Sequence, residues 1–476
     1  MSQFNKDEIR RRFEPFAERM RRAELPDLMI ETFGTYYRQL LQGHRGTLGR
    51  AQIDPVDAVP DAEHLTGYRE AGRAALQKTV VVKLNGGLGT GMGLDKAKSL
   101  LVAREGLSFL DVIARQILAL RQVHACALPL ILMNSFNTRA DSLDHLAAYP
   151  ELQGEIPLDF VQHRVPKVAQ DGLAPITWEP DPTLEWCPPG HGDIYTALVT
   201  SGMLGRLLDH GHEFAFVSNA DNLGAVVDEQ ILGYFAQGRF PFMMEVADRT
   251  AADRKGGHLA RLKDGRLALR ESVQCPEQER QEFQDVRLYK YFNTNNLWIN
   301  LVALKALLDE HGGILGLPLI VNRKTVDPRD ESTPAVFQLE TAMGSAISAF
   351  PGAQALRVPR TRFAPVKTCD DLLGLRSDVY LLADGCRVVP NPARRLGTLV
   401  ADLDKRYFKR IDDFEARFPY GVPSLIACER LSIEGDVRFG RDVVVEGRVR
   451  VVNRAAEQLV VPDGATLTGD VGGGYW

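Results

Sequence analysis

An excess of charge of either sign is the first thing this chain lacks. Its 57 Lys and Arg face 62 Asp and Glu, a net charge of −5 over 476 residues. Without a global basic field, neither nucleic acid nor an anionic membrane is expected as a partner. Paired cysteines are also missing: the six at 126, 187, 275, 369, 386 and 428 are scattered, with no C-x-x-C step. That spacing argues against a zinc site or a disulfide framework and for a reducing compartment. No apolar run is long enough to span a bilayer, and the opening MSQFNKDEIRRRF has no apolar signal core. A cytoplasmic location is the expectation. Two common phosphate signatures fail as well. The pattern G-x-x-x-x-G-K-[ST] needs a Gly-Lys step and none occurs, while G-x-G-x-x-G meets Met92 or Lys96 where its third glycine should be.

What the chain does have is TVVVKLNGGLGTGMGLDKAKS, residues 79–99. The β-branched run from Thr79 to Val82 reads as a buried strand. It empties into a loop with glycines at 86, 87, 89, 91 and 93, followed by Lys96 and Lys98. Glycines leave backbone N–H groups open to an anion, and a lysine at the far end reaches phosphate oxygens as a point charge. The loop reads as a polyphosphate cradle, with ordinary glycine punctuation after a strand as the alternative.

At 476 residues and 45% hydrophobic content, two or three domains are expected. Residues 1–75 contain IRRRFEPFAERMRR and LMIETFGTYYRQLL, which read as helices. Their interleaved acids make the arginine cluster a solvated helix face rather than a nucleic-acid arm. From 76 to 385, the strands TVVVKL, LPLILMN, EFAFVSNAD and FMMEV alternate with helical patterns such as SFLDVIARQILALRQV, which Ser108 is placed to cap. This alternation predicts an α/β domain with a mostly parallel sheet, whose ligand sits at the carboxyl ends of the strands where the glycine loop falls. Residues 386–476 hold a repeat. Leu431, Val437, Val443 and Val449 lie six apart, and Ile433, Phe439, Val445 and Val451 repeat the step. With Gly435 and Gly447 at turns, the pattern predicts a short parallel β-helix; an antiparallel meander is the alternative.

Asp221 ends the strand EFAFVSNAD. A carboxylate there opens into the ligand cleft and suits Mg²⁺, which takes one or two carboxylates plus phosphate oxygens and waters. A turn aspartate in D-N-L-G is the alternative. His191, between two glycines, stands in a poor position for core packing.

Further blocks follow the glycine loop: FVQH at 160–163, PPGHGDIYTAL at 188–198, FVSNADNLGA at 216–225 and MEVADRTAADRKGG at 244–257. FNTNNLWIN at 292–300, QLETAMGSAI at 338–347 and VPRTRFAPVKT at 358–368 complete the series. In these blocks, in this order and over most of its length, the chain resembles the eukaryotic-type UTP–glucose-1-phosphate uridylyltransferases, or UDP-glucose pyrophosphorylases. The resemblance implies a Rossmann-like nucleotidyltransferase domain at 76–385 with a mostly parallel mixed sheet. A mainly helical segment at 1–75 would pack on it, and a left-handed parallel β-helix would occupy 386–476, a module often used for subunit contacts and here offering a homo-oligomer interface.

It further implies transfer of the uridylyl group of UTP to glucose 1-phosphate, assisted by Mg²⁺ and without a covalent enzyme intermediate. A different sugar 1-phosphate (galactose or N-acetylglucosamine) and a non-catalytic sugar-nucleotide binder are the alternatives. By the same resemblance, Lys98, Lys367 and Asp221 are catalytic, with Asp221 the metal ligand. Leu84, Asn85, Gly86, Gly87, Gln162, Gly190 and His191 would hold the nucleotide, Gln162 reading uracil. Asn219, Gly257, Glu271, Asn293, Asn295 and Lys367 would meet the sugar phosphate. On residue type alone, the two lysines read as surface charges, Gln162 as a buried bridge between loops and FNTNN as a turn. Arg360 and Arg362 either join an electropositive rim or form structural salt bridges. One departure stands out: the family's usual proline before the loop lysine is Ala97 here, which loosens the loop while keeping its charge.

Overall fold

The computed structural model describes residues 4–250 and 253–472. Residues 251 and 252 of the block 244–257, and residues 1–3 and 473–476 of the two terminal regions, lie outside the described residues. Helix α1 (Lys6–Arg22) begins where the Asn5 side chain accepts the Glu8 N–H at 2.9 Å, and it carries acids in its first turn and arginines in its last. Both ends thus complement the helix dipole. Its apolar stripe, Phe16, Ala17 and Met20, packs on α2 (Asp27–Leu41), with the Phe16 and Tyr37 rings 4.7 Å apart. Arginines of the other face pair with Glu8, Glu14 and Glu18, and Arg19 reaches across to Glu185. The expected solvated face is therefore laced with ion pairs.

Four strands carry the site: β1 (Thr79–Asn85), β2 (Leu130–Asn134), β3 (Asp159–Val161) and β4 (Phe214–Asn219). They lie in the order β4-β1-β2-β3, every pair parallel, with Asn219 level with Leu84 and Asn85 level with Asn134. Strand β1 is buried almost throughout because both faces are covered. Val81 joins the core beneath helix α3 (Phe109–His124), while Val80 and Val82 join the opposite core with Ile194 and Leu198. Ser108 caps α3 as expected, in a reciprocal box with Asp111.

The other flank of this ten-stranded sheet pairs mostly antiparallel. Strand β6 (Tyr291–Asn300) pairs antiparallel with β4 and with β5 (Phe242–Asp248). Next comes the antiparallel strand His258–Leu262, itself flanked by Leu267–Arg270 and by Ile53–Pro55. Parallel pairing is thus concentrated on the site flank, with Gln354–Arg357 beside β5 the exception. The edge strand Ile53–Pro55 comes from the region expected to be helical.

Beyond the hairpin of Tyr380–Ala383 and Arg387–Pro390, which spans the expected boundary at 386, the last strands pair in parallel. Leu431 lies level with Val449 and Ile433 with Val451, three hexapeptides apart, and all eight repeat positions are buried. Parallel pairing rules out the antiparallel meander. The six-residue step breaks after Val451, where an insertion brings Leu459 level with Val437.

Candidate active site

Parallel strands release their chains on one side, so β1, β2, β3 and β4 deliver four loops to a single edge of the sheet. Gly86 and Gly87 follow β1, Phe136 follows β2, Gln162 and Arg164 follow β3, and Asp221 follows β4. With Gly190 and His191 they line a cleft of about 730 Å³, large enough for a nucleotide. Leu84, Asn85, Gly86, Gly87, Lys98, Gln162, Gly190, His191, Asn219 and Asp221, all expected from sequence, meet here.

The glycine loop folds back on itself through the Lys98 N–H, which donates to the Gly87 carbonyl at 3.0 Å. Lys98 Nζ then donates to Asp221 Oδ2 at 2.7 Å, with both side chains largely buried. Asp221 Oδ1 is buried and has no hydrogen-bond partner among the described residues. Such an atom calls for an explanation, because buried polar atoms are nearly always satisfied. Ala97 takes φ −53°, within the range of the proline the family usually has there. Asn85 is buried, its amide donating to Asn134 Oδ1 at 2.7 Å and Ser142 Oγ at 2.8 Å. These bonds tie the start of the glycine loop to the strand Leu130–Asn134 and the helix that follows it.

At the other end, Gln162 is tucked between two glycines. A Cβ on Gly86 would lie 2.7 Å from Gln162 Oε1, and Gln162 Nε2 donates to the Gly190 carbonyl at 3.2 Å. The side chain does bridge two loops, the ordinary alternative, and both loops line the cleft. Gly190 has φ +80°, and a Cβ there would meet the Thr341 carbonyl oxygen at 2.4 Å. Only glycine fits. His191 Nδ1 accepts the Met343 N–H at 2.9 Å, which places the proton of the neutral ring on Nε2. Burial, helped by the charge of Lys367, pulls its pKa down to about 4, so the ring is neutral at pH 7.

Of the expected sugar-side residues, Gly257, Glu271, Asn293 and Asn295 form a second, contiguous group. Asn293 N–H donates to the Gly257 carbonyl, and the Glu271 carboxylate lies against Gly257, where a Cβ would sit 2.6 Å from it. FNTNN is a bulged part of β6 rather than a turn: the register slips opposite Glu245 and Val246, and Asn295 takes φ +59°. The bulge turns Asn293 and Asn295 toward each other, Nδ2 to Oδ1 at 2.8 Å. Lys367 links the two groups. Its exposed side chain lies close enough for its charge to oppose the burial-driven rise of the Glu271 pKa and to depress that of His191. The strap that carries it is tied to the Asp221 loop by the Val366 N–H, which donates to the Asp221 carbonyl at 3.1 Å.

Arg360 and Arg362 are structural: Arg360 pairs with Asp253 at 2.8 Å and buried Arg362 with Glu245 at 2.6 Å. Sequence reasoning missed Phe136 and Arg164, which line the cleft, and the buried Asp193 that anchors His163 at 2.9 Å. Their position just after parallel strands or inside PPGHGD was the available signal.

Among the described residues, no group of three or more His, Cys, Asp or Glu gathers to hold a metal. The bare Oδ1 of Asp221 nonetheless fits Mg²⁺, which takes few carboxylates and completes its shell with phosphate oxygens and water.

A mixed α/β sheet that gathers a glycine loop, a lysine and an under-satisfied carboxylate at the ends of its parallel strands has the frame of a nucleotidyltransferase. The chain belongs to the UTP–glucose-1-phosphate uridylyltransferase family, whose sequence model matches residues 30–446. The Saccharomyces cerevisiae UTP–glucose-1-phosphate uridylyltransferase is 42% identical over 452 residues, 92% of this chain and 87% of that protein. A variant UDP-glucose pyrophosphorylase from Leishmania major, solved in complex with UDP-glucose, is 45% identical and superposes with a TM-score of 0.91 over 97% of this chain and 99% of its own. A UDP-glucose phosphorylase from Trypanosoma brucei is 43% identical, with a TM-score of 0.89 over 97% of this chain and all of its own.

Proposed function

We propose that this chain transfers the uridylyl group of UTP to glucose 1-phosphate and releases pyrophosphate. The observation that carries the reading is the convergence of Lys98, Asp221, Gln162, Gly190 and His191 in one cleft, with Lys367 between it and the Glu271–Asn293 group. An oxygen of the sugar phosphate, already ionised at neutral pH, attacks the α-phosphorus in line. The bond from that phosphorus to the pyrophosphate oxygen breaks, and no protein nucleophile is needed. The protein must hold two mutually repelling anions and neutralise charge in the transition state.

Lys98 gives up Asp221 for phosphate oxygens and steadies the departing pyrophosphate. Asp221 would hold Mg²⁺ through Oδ1, and the bound ion would supply further neutralisation of the phosphates. His191 donates from Nε2 without adding charge. Lys367 neutralises the sugar phosphate and the α-phosphate together. Gln162 exchanges its bond to Gly190 for the imide edge of uracil, which needs one donor and one acceptor. Asn219, Asn293, Asn295 and Glu271, with Gly257 leaving room, serve the sugar phosphate and hydroxyls. The test is pyrophosphate release from UTP and Mg²⁺ with a panel of sugar 1-phosphates. Dominant release with glucose 1-phosphate supports the reading. Dominance of galactose or N-acetylglucosamine 1-phosphate moves the substrate, and release with none, from protein that binds UDP-glucose, makes it a binder.

We also read the chain as three parts, 1–75, 76–385 and 386–476, the last a short left-handed β-helix. The three-hexapeptide register supports the β-helix, and exposed Val400 and Val460 support a homo-oligomer contact there. Six free cysteines support a cytoplasmic location.

A further inference from the structure

One end of the nucleotide cleft holds a cation that the reaction above leaves unused. The Arg164 guanidinium carbon lies 5.3 Å from the centroid of Phe136 and 4.8 Å from that of Trp186. No described residue gives it a hydrogen bond or an ion pair, and its Nε is buried without a partner. Phe136 is 62% exposed, a bare aromatic ring at the rim of a cleft. An unpaired planar cation beside an exposed ring is complementary to a flat molecule that bears carbonyl oxygens.

The order of the strands says which part of a substrate would arrive there. Strands β4, β1, β2 and β3 deliver Asp221, the glycine loop, Phe136 and Arg164 in that sequence. At about 4.8 Å per strand, the β3 loop lies roughly 14 Å from the β4 loop, comparable with the length of an extended nucleoside triphosphate. A triphosphate anchored at Lys98 and Asp221 therefore brings its base, not its phosphates, to Arg164.

We propose that Phe136, Arg164 and Trp186 form a base platform. The pyrimidine lies against Phe136, and Arg164 donates to a ring carbonyl, disfavouring a base that presents an amino group there. This rests on the UTP reading and adds a second determinant of base choice to Gln162.

Calorimetric titration with UMP and, separately, with magnesium pyrophosphate tests it on the wild type, Arg164→Ala, Arg164→Lys and Phe136→Ala. Arg164→Ala and Phe136→Ala should each weaken UMP about tenfold, the size of one lost charged or aromatic contact. Pyrophosphate affinity should not move. KM for UTP should rise by more than kcat falls, and discrimination against CTP should narrow in Arg164→Ala. Arg164→Lys, which keeps the charge but not the planar fork, should bind UMP as poorly as Arg164→Ala. Unchanged UMP affinity in both alanine variants would overturn the platform, as would a loss confined to pyrophosphate. Phe136 is exposed, so its variant keeps the test alive if Arg164→Ala misfolds. A wild type that binds pyrophosphate but not UMP would instead sink the UTP reading itself.

Discussion

Two carboxylate–cation pairs of nearly equal length lie in neighbouring parts of the molecule, Arg362–Glu245 in the floor beneath the cleft and Lys98–Asp221 in the cleft itself. In the floor, both oxygens of Glu245 are fully used. Oε1 accepts from Trp298 and Arg362, and Oε2 from Asn296 and Arg362, with Glu245 wholly buried. In the cleft, Asp221 spends one oxygen on Lys98 and leaves the other bare. The lesson is that distance alone does not separate structure from function; satisfaction does. The floor also steadies the cleft. Arg362 donates to the Val226 carbonyl, and Asn222 donates to the Arg362 carbonyl and to Asn296. These bonds tie the loop bearing Asp221 to the strap bearing Lys367.

The contrast breaks if both pairs respond alike to removal of one partner. Arg362→Met should cost about 3–5 kcal/mol, because it strands a buried carboxylate, and a urea midpoint reads this directly. Asp221→Asn keeps an oxygen that accepts from Lys98 and should lower stability by no more than about 1 kcal/mol, yet lower turnover by about 10²–10³-fold. Equal losses of stability would erase the distinction. Next in size, Lys367→Ala should cut kcat by about 10²-fold with no change in melting temperature, since its side chain is exposed. Near-normal turnover would remove Lys367 from the chemistry.

A pH titration sharpens the same comparison. Lys83, buried in the floor, donates to Ser218 Oγ and to the Ala225 carbonyl. Burial, reinforced by Arg362 and opposed by Glu245, pulls its ammonium down to about 7. An unfolded lysine keeps its proton to about pH 10.4. Above pH 7 the unfolded chain therefore holds more protons than the folded one, and this group makes stability rise with pH until both forms are neutral. Lys83→Met should flatten the rise in melting temperature over that window; an unaltered slope would assign it to other groups. The smallest effect belongs to the loop. Ala97→Pro should leave turnover unchanged and shift stability by at most about 1 kcal/mol, because φ there already suits proline. A large loss of activity would mean that the buried ring collides with the loop's packing.

The parallel flank was the legible part. Its strands are continuous β-branched or apolar runs, the glycine loop interrupts them visibly, and Asp221 stands at a strand end where D-N-L-G marks the exit. The hexapeptide step announced buried positions that all proved buried, though not the insertion that follows Val451. The antiparallel flank was less legible. FNTNN looks like a turn because asparagines favour turns, and only pairing with β5 makes it a bulge. The side-chain partners of Asn85, Asn134 and Ser142, were not legible either, since they are far away in sequence.

What the sequence determined by itself is therefore local or periodic. It set the parallel strands of the site flank and the longer helices, the capping of α3, the glycine-rich loop, the six-residue repeat and the kinds of side chain available for binding phosphate. These follow from neighbours along the chain, where propensity and spacing act directly. Only the tertiary structure decided which polar groups are satisfied. Arg362 and Arg164 are the same residue type, yet one is locked against Glu245 and the other stands unpaired between two rings. Whether a charge finds a partner depends on strand order and register, which bring together residues more than a hundred positions apart. That pairing, or its absence, separates the groups that hold the fold from those left to meet a ligand.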